Sequence, residues 1–472
     1  MSMQTRVRFA PSPTGPFSLG NARTALFNWL FARNTSGIFI LRIENTDQER
    51  SQKRYEQELL ESLSWLGIDW DEGPIRQSER GEIYERYLRR LIEEKKAYYC
   101  FCSPEELEKE RQAQLSQGLS PRYSGRCRHL SEEEVIKRTK RESPHVIRFK
   151  MPGKKISFPD LVRGSVEFNT ELLGDIIIAK SFTEPLYNFV AAIDDYEMNI
   201  THVIRGEDHL PNTPKQLAIQ EALGLKHPTY AHLPLILGPD RKKLSKRYLA
   251  KSVSDFKNEG FLPQAMVNFL ALLGWHPEKD REVLGKEELV REFRLMRVQK
   301  GGAIFNEEKL YWLNAHYIKN MSADQLMEYL TPFIPQPWLK EKEKLDRVVG
   351  LVQERIKALS EFPELARFFF ELPDYPRELL RWRETPDPVI YENLGECQKI
   401  LEEMHPDIFS GEVAEKKLQL LAEDRGKGEV LWPLRVALSG QNNSPSPFEI
   451  INVLGRNESL QRITVALKKM KL

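Results

Sequence analysis

An α/β fold with an all-α C-terminal region is predicted by three features of this 472-residue sequence. Short apolar segments of strand type alternate with helical segments over the first 80 residues, which is typical of a parallel sheet with right-handed crossovers. The pattern returns near residue 188, after a long polar insertion. Beyond about residue 323 nearly every segment has the periodicity of an amphipathic helix, and prolines divide that region into short bundles.

The first elements follow from local signals. Arg6 to Phe9 alternates as a strand does, and the prolines and glycine of residues 11–15 predict a tight loop. The segment Gly20 to Arg33 is apolar almost all round, which predicts a helix packed inside the α/β layers. Ile38 to Ile43 is the second strand, with Glu44 at its carboxyl end. Ligands of such sheets bind outside the carboxyl ends of the strands.

Capping and breaking residues place the remaining elements. Thr46 or Asp47 is expected to cap the helix that follows the second strand and ends at Gly67. Where the sheet pattern resumes, further strands are expected at Ile176 to Ala179, Thr201 to Ile204 and Leu233 to Leu237.

Helices replace strands after residue 247. Ser252 or Ser254 is expected to cap a short helix, and Pro263 starts another that ends at Gly274.

Composition excludes several classes of protein. The net charge of +1 gives no general argument for a nucleic-acid partner, so local basic patches must supply one. No apolar segment is long enough to cross a bilayer, and the first nine residues lack a signal-peptide core. Four cysteines do not form a disulfide framework, which indicates a reducing compartment, and we expect a cytoplasmic monomer.

The run Lys243-Leu244-Ser245-Lys246-Arg247 indicates chemistry on a triphosphate. Two ammonium groups three positions apart can reach different oxygens of one polyphosphate, and Ser245 adds a hydroxyl between them. Taken alone, such a run is more often a solvated surface loop.

Five segments in order make this sequence similar to the glutamyl-tRNA synthetases, a family of class I aminoacyl-tRNA synthetases. The resemblance rests on RFAPSPTG at 8–15, IENTD at 43–47, VIRGEDH at 203–209, KLSKR at 243–247 and GGAIF at 301–305. It covers the whole chain. It implies that glutamate is activated with ATP and Mg²⁺ and that the glutamyl group passes to the 3′ end of tRNA-Glu.

The resemblance also implies a glutamate pocket. Glutamate carries two carboxylates and one ammonium, so a selective pocket needs cationic and anionic groups. The residues carried over from the family are Glu44 with Ser12 and the Ala10 backbone for the α-amino group, Arg8 and Tyr187 for the side-chain carboxylate, and Arg205 for the other carboxylate. Without the family resemblance, Arg8 would be interpreted as one half of a cross-strand ion pair, Glu44 as a helix cap and Tyr187 as a core aromatic residue.

ATP is expected at the N-terminus of the helix near Gly20 and Asn21, whose free amides attract anions. By resemblance Lys243, Ser245 and Lys246 contact the phosphates, and the two lysines stabilise the charge that develops as pyrophosphate leaves. The family's helix-start motif begins with histidine, where this chain has Ser18, and Tyr248 and Leu249 replace the usual His-Gly after KLSKR. These departures put catalytic rate in doubt more than identity.

Three of the four cysteines lie close together in the insertion, as Cys100, Cys102 and Cys127, and His129 follows. Three thiols and one imidazole match a tetrahedral structural zinc site. The single-residue spacing of the first two cysteines is tighter than usual, and the alternative is a loop with unligated thiols.

The helical tail separates this chain from two relatives: a short paralogue that lacks the tail, and the glutaminyl enzymes, which carry β-barrel anticodon domains. Arg355 matches a family position that reads the anticodon, and it could equally pair with Glu354 or Glu361 on a helix surface. Two other functions stay open. One is an RNA-binding protein with impaired catalysis, and the other is an enzyme that also charges tRNA-Gln.

The predicted organisation has four parts. A Rossmann-type catalytic domain is formed by residues 1–80 and 188–240, with an inserted acceptor-arm-binding domain of the α+β type at 81–187. A stem-contact domain with the KLSKR loop covers 241–322, and the α-helical anticodon-binding region covers 323–472.

Overall fold

The computed structural model describes residues 4–47, 49–242 and 251–471, which form two compact units. The first unit contains the described residues up to Lys257 together with Pro263–Leu310. The second contains Asn258–Leu262 and the described residues from Tyr311 onward. In these ranges no helix has the length and apolar character needed to cross a membrane.

Thirteen strands are formed by the described residues, all in the first unit. They are β1 Arg6–Phe9, β2 Ile38–Ile43, β3 Glu72–Arg76, β4 Ala97–Cys100, β5 Val146–Phe149, β6 Lys155–Asp160, β7 Gly164–Asn169, β8 Ile176–Ser181, β9 Glu184–Pro185, β10 His202–Gly206, β11 Thr229–Leu233, β12 Ile236–Leu237 and β13 Ala303–Ile304.

The α-helices before the tail are α1 Leu19–Asn34, α2 Lys53–Trp65, α3 Gly81–Glu93, α4 Pro104–Ser116, α5 Glu132–Lys140, α6 Tyr187–Glu197, α7 Thr213–Ala222, α8 Val253–Asn258, α9 Pro263–Leu272, α10 Lys286–Glu292 and α11 Glu307–Lys319.

A parallel sheet forms the centre of the first unit. β1, β2 and β3 pair in parallel, as do β10 and β11. The backbone N–H of Thr201 donates to the carbonyl oxygen of Arg6 at 2.9 Å, which joins the two halves in the order β3-β2-β1-β10-β11. The carboxyl ends of these strands meet at one edge, as the α/β prediction requires. Strand β6 extends the sheet through one parallel pair, Tyr230 with Asp160.

The insertion contributes a second sheet, with antiparallel order β4-β5-β8-β9. The predicted strand Ile176 to Ala179 exists as β8, but it belongs to this sheet and does not continue the parallel one. The predicted strand Leu233 to Leu237 is also corrected, because the chain forms β11 up to Leu233 and then the short β12. Pro234, which cannot donate to a ladder, lies at the break.

Helix α1 confirms the prediction of a helix buried on several faces. Ten of its residues are buried, and Ser18 is its N-cap. The predicted cap of the next helix is wrong. Helix α2 follows Gln52 without a side-chain cap, and Oδ1 of Asp47 accepts instead from the backbone N–H of Arg50 at 3.2 Å. At α8 the cap is Ser252, whose Oγ accepts from the N–H of Asp255 at 3.2 Å.

The second unit is all-α in the described residues, as predicted for the tail. After the end of α11 its helices are α12 Ala323–Leu330, α13 Lys342–Val352, α14 Phe362–Phe370, α15 Asp387–Glu402, α16 Gly411–Arg425, α17 Lys427–Ser439 and α18 Pro447–Met470. Among its described residues Arg462 is a buried cation, which donates to the carbonyl oxygens of Phe368 and Leu438 at 2.6 Å each. Burial of that guanidinium is tolerated because its donors are satisfied.

Candidate active site

Two arginines from neighbouring strands share one buried carboxylate at the carboxyl edge of the sheet. Nε of Arg8, in β1, lies 3.0 Å from Oδ1 of Asp195, and Nη1 of Arg42, in β2, lies 2.7 Å from the same oxygen. All three side chains are at most 5% exposed. Burial alone raises the pKa of Asp195, but attraction to Arg8 and Arg42 outweighs it and lowers that pKa to about 2. Arg8 is therefore ion-paired, to a residue of α6 and not to a neighbouring strand.

The adjacent Asp194 connects this pair to α3 and to the turn before it. Its carboxylate accepts hydrogen bonds from Nε2 of Gln77 at 2.8 Å, Nε of Arg80 at 2.9 Å and the hydroxyl of Tyr84 at 2.9 Å. The Asp194 side chain is completely buried. Sequence reasoning missed Arg42 and both aspartates. A charge inside the apolar strand β2 and two acids inside the apolar helix α6 were the available signals, because buried charges require partners.

Glu44 lies directly after β2. Its Oε1 accepts from Nη2 of Arg42 at 3.0 Å, and its backbone N–H donates to the carbonyl oxygen of Pro11 at 2.9 Å. The second bond attaches the loop 11–15, which contains Ser12, to the edge of the sheet. Burial raises the pKa of Glu44, and attraction to Arg42 and Arg8 offsets only part of that rise. Glu44 does not cap a helix, since α2 begins at Lys53.

Arg205, at the end of β10, is buried among neutral acceptors. Its Nε lies 3.2 Å from Nε2 of His232, its Nη1 2.9 Å from Oε1 of Gln216 and its Nη2 2.8 Å from Oγ1 of Thr213. The side chain is 5% exposed, and no carboxylate in the described part of the chain forms an ion pair with it. A buried guanidinium with neutral partners only is ready to bind an anion.

Tyr187 lies near the charges of Glu44 and Arg205. Its hydroxyl lies 2.9 Å from Nδ1 of His209. Burial raises the pKa of Tyr187, as does the charge of Glu44. Burial, and then repulsion by Arg205, lower the pKa of His209 to about 4. The structure therefore brings the predicted side chains Arg8, Glu44, Tyr187 and Arg205 together at one edge of the sheet.

Helix α1 begins directly after Ser18, its N-cap. Oγ of Ser18 accepts from the backbone N–H of Asn21 at 3.3 Å, so the serine that replaces the expected histidine works as a helix cap. Among the described residues, a Cβ built on Gly20 would meet only Oγ of Ser18, at 3.9 Å. Packing against this part of the chain therefore does not require glycine there. Asn21 and Ser12 are exposed, and Ala10 is half-buried in the preceding loop.

The predicted phosphate-binding residues Lys243, Ser245 and Lys246 lie outside the described residues, as do Tyr248 and Leu249. Gly238, shortly before them, closes a turn in which its N–H donates to the carbonyl oxygen of Lys242 at 2.8 Å.

The three cysteines of the insertion do come together. The Sγ atoms of Cys100, Cys102 and Cys127 all lie within 4.8 Å of one another, and those of Cys102 and Cys127 are 3.6 Å apart. Tetrahedral Zn²⁺ with Zn–S bonds of about 2.3 Å separates its sulfurs by about 3.8 Å. The spacing and the thiol donors fit this metal. Cys397, in the second unit, is a buried core residue in α15.

The fourth predicted ligand, His129, is exposed and does not belong to this group. The hydroxyl oxygen of Tyr123 lies beside the cluster, 3.4 Å from Sγ of Cys100 and 3.5 Å from Sγ of Cys102. No signal in the sequence pointed to Tyr123, because tyrosine is not among the usual zinc ligands.

Arg355, the predicted anticodon residue, follows α13 in the second unit. Its side chain is 44% exposed, and its Nη2 lies 4.0 Å from Oε2 of Glu449. The alternative partners do not pair with it. Glu354 pairs with Lys319, and Glu361 accepts from the backbone N–H of Lys357.

Two family descriptions match this chain. Residues 4–312 match "tRNA synthetases class I (E and Q), catalytic domain", and residues 325–467 match "Anticodon binding domain". The two matches divide the chain close to the boundary between the compact units.

Curated relatives match over nearly the full length. The glutamate–tRNA ligase of Carboxydothermus hydrogenoformans is 46% identical over 97% of this chain and 98% of its own, and that of Aquifex aeolicus is 45% identical over 99% of each. Among solved structures, a glutamate–tRNA ligase of Elizabethkingia meningosepticum in complex with its amino acid is 34% identical. It covers 99% of this chain and 100% of its own, with a TM-score of 0.89. The chain belongs to the glutamate–tRNA ligases, a family of class I aminoacyl-tRNA synthetases.

Proposed function

We propose that the pocket formed by Arg8, Glu44, Tyr187 and Arg205 binds L-glutamate, that ATP binds at the N-terminus of α1, and that the activated glutamyl group passes to the 3′ end of tRNA-Glu. The fold and the family support the reaction. The residue roles rest on the geometry of the pocket.

One observation carries the assignment of an amino-acid substrate to this pocket. Arg205 is buried with neutral partners only, whereas the nearby charges Arg8, Arg42, Glu44 and Asp195 form ion pairs with one another. A buried cation without a counter-charge is costly to the free protein. A substrate carboxylate removes that cost. The pocket therefore favours a ligand that brings a carboxylate to Arg205, as an amino acid does.

The remaining groups suit the rest of the amino acid. Glu44 offers a carboxylate to the α-ammonium group, and the bond from its N–H to Pro11 places the Ala10 and Ser12 loop beside it. Arg8 is held by Asp195 and Tyr187 by His209, so neither side chain has to be ordered when the side-chain carboxylate binds. Arg205 takes the other carboxylate.

Activation requires ATP next to the substrate carboxylate. The N-terminus of α1 suits a phosphate group, and Gly20, where an added Cβ would meet only Ser18 among the described residues, leaves room for the nucleotide. A glutamate oxygen attacks the α-phosphorus, and the bond to the bridging oxygen breaks as its electron pair leaves with pyrophosphate. Lys243 and Lys246 neutralise that charge. Mg²⁺ is bound through phosphates and water.

Transfer then consumes the adenylate. A ribose hydroxyl of the terminal tRNA nucleotide attacks the acyl carbon and loses its proton to solvent, and the bond to AMP breaks with the electron pair on the phosphate oxygen. The all-α unit binds the anticodon. Arg355 contributes to reading it, since that guanidinium is half exposed and has one distant acidic partner.

Zinc is proposed at the cluster of Cys100, Cys102 and Cys127, with Tyr123 as the fourth ligand in place of His129. A closed set of four protein ligands makes the metal structural, and it would stiffen the part of the insertion around α4. No step of the reaction involves it.

The test is aminoacylation by the Arg205→Ala variant. Removal of the partner of a desolvated carboxylate costs about 2 to 5 kcal/mol, so kcat/KM for glutamate should fall at least 30-fold while the KM for ATP stays within twofold. Arg50→Ala is the matched control, because Arg50 is an exposed arginine on the same unit. Near-normal glutamate kinetics of Arg205→Ala would refute the assignment. The same assay with tRNA-Gln decides whether that tRNA is charged too.

A further inference from the structure

Arg205 is held by a buried chain of polar side chains that begins in the insertion. Oδ2 of Asp160, at the end of β6, lies 2.6 Å from Nδ1 of His232 in β11. On the other side of the ring, Nε2 lies 3.2 Å from Nε of Arg205 and 3.0 Å from Oγ1 of Thr213. The side chains of Asp160 and His232 are completely buried.

The hydrogen bonds of this chain are satisfied by only one tautomer. The ionised Asp160 has no proton to donate, so Nδ1 of His232 carries the hydrogen and donates it. Nε2 is then an acceptor, as the N–H of Arg205 requires. Thr213 accepts from Nη2 of Arg205, and its Oγ1 lies 3.0 Å from the same Nε2.

His232 and Asp160 keep the charge states that this tautomer requires. Burial lowers the pKa of His232, which keeps the imidazole neutral beside Arg205. Burial raises the pKa of Asp160, but its hydrogen bonds outweigh this effect and the pKa is lowered. Those bonds include the backbone N–H groups of Val162 and Arg163, at 2.9 and 2.8 Å.

We propose that Asp160 and His232 are positioning residues for glutamate binding: Asp160 fixes the Nδ1–H tautomer of His232, and the free Nε2 orients the guanidinium of Arg205 without neutralising it. A carboxylate in direct contact with Arg205 would orient it equally well, but would compete with the substrate for its charge. The neutral imidazole orients the guanidinium of Arg205 and leaves its charge available to the substrate. This inference rests on the proposed role of Arg205.

The sharpest perturbation is Asp160→Asn, which changes few atoms. The amide nitrogen at the Oδ2 position can only donate, so His232 must place its hydrogen on Nε2. Two donors then face each other at the contact with Arg205. A comparable replacement in serine proteases reverses the histidine tautomer with little change in geometry.

Steady-state aminoacylation separates positioning from a general structural role. Asp160→Asn and His232→Phe should each raise the glutamate KM at least tenfold and change the ATP KM less than twofold. In the His232→Phe background, Asp160→Asn should add less than twofold, because phenylalanine has no tautomer. His227→Phe, at an exposed histidine of the same segment, is the matched control.

Three results would overturn the proposal: a glutamate KM within twofold of normal in either single variant, an equal rise in the ATP KM, or effects that multiply in the double variant. Arg205→Ala is measured beside them. If it raises the glutamate KM and Asp160→Asn does not, only the positioning role fails. If Arg205→Ala has no effect, the proposed pocket fails first.

A second measurement needs no folded Asp160→Asn protein. Imidazole ¹⁵N NMR of the natural chain should show one resonance pair with protonated Nδ1 and unprotonated Nε2 that is missing from His232→Phe. Protonation at Nε2 instead would overturn the proposal.

Discussion

Replacement of the buried Asp195 by asparagine is the most demanding test of the site's electrostatics. Asp195 is the one carboxylate within 4 Å of Arg8 in the described part of the chain, and it also binds Arg42. Asparagine keeps the shape and removes the charge. It leaves the guanidinium of Arg8 buried without an acidic partner, and Arg42 with Glu44 as its nearest one.

Two arguments set the size of the effect. The pKa of Asp195 is lowered from 3.8 to about 2, and a shift of that size corresponds to about 2 kcal/mol of stability at neutral pH. Removal of one partner from a buried ion pair costs about 3 to 5 kcal/mol, because it also leaves a buried charge uncompensated. We therefore expect the free energy of unfolding to fall by about 2 to 4 kcal/mol at pH 7.

The sign of the pH dependence follows from the lowered pKa. The contribution of the Asp195 charge is fully present well above pH 4 and is lost as the pH falls from about 4 to about 2. The stability gap between the natural protein and Asp195→Asn should therefore narrow by about 1 kcal/mol between pH 6 and pH 3.

Urea unfolding of both proteins across this pH range measures the gap. Asp47→Asn is the control, since Asp47 is exposed and pairs with the exposed Arg50, and it should leave the unfolding midpoint unchanged. The reasoning is refuted if Asp195→Asn loses less than 1 kcal/mol at pH 7, or if the gap stays constant down to pH 3.

Three further outcomes can be checked on the same protein. Purified, metal-replete protein should contain about one zinc per chain by mass spectrometry. Cys127→Ala and Tyr123→Phe should lower that content, and His129→Ala should not. Absence of zinc, or its loss only in His129→Ala, would contradict the proposed ligands. Ser18→His should raise kcat with little change in the glutamate KM, because histidine donates to phosphate from a longer side chain and a missing donor costs about 2 to 4 kcal/mol. A slower Ser18→His enzyme would mean that the cap from Oγ to Asn21 matters more than the donor. Gly20→Ala should raise the ATP KM in aminoacylation without lowering the melting temperature, since among the described residues the added Cβ meets only Ser18. Unchanged ATP kinetics would place the nucleotide elsewhere.

Much of the fold could be predicted because its signals are local. The alternation in Arg6 to Phe9, the apolar helix from Gly20 to Arg33 and the helical periodicity after residue 323 each lie within one element, and the structure has them as β1, α1 and α12 to α18. Ser252 and Pro263 likewise mark the starts of α8 and α9.

The errors have two different physical causes, one a distant strand and one a local turn. Ile176 to Ala179 has an apolar pattern that suits either sheet, and pairing with β5 placed it in the antiparallel one. Asp47 has the right chemistry for a cap, but its side chain accepts from the N–H of Arg50 in a turn that precedes α2.

The sequence by itself determined the family, the order of the elements and the side chains able to carry charge at the strand ends. Only the tertiary structure decided which of those charges are already paired. Arg8 meets an aspartate 187 residues away, and His232 meets one 72 residues away, so no local pattern contains either contact. Burial makes these long-range partners decisive, because a charge removed from water must be stabilised by protein groups in its place.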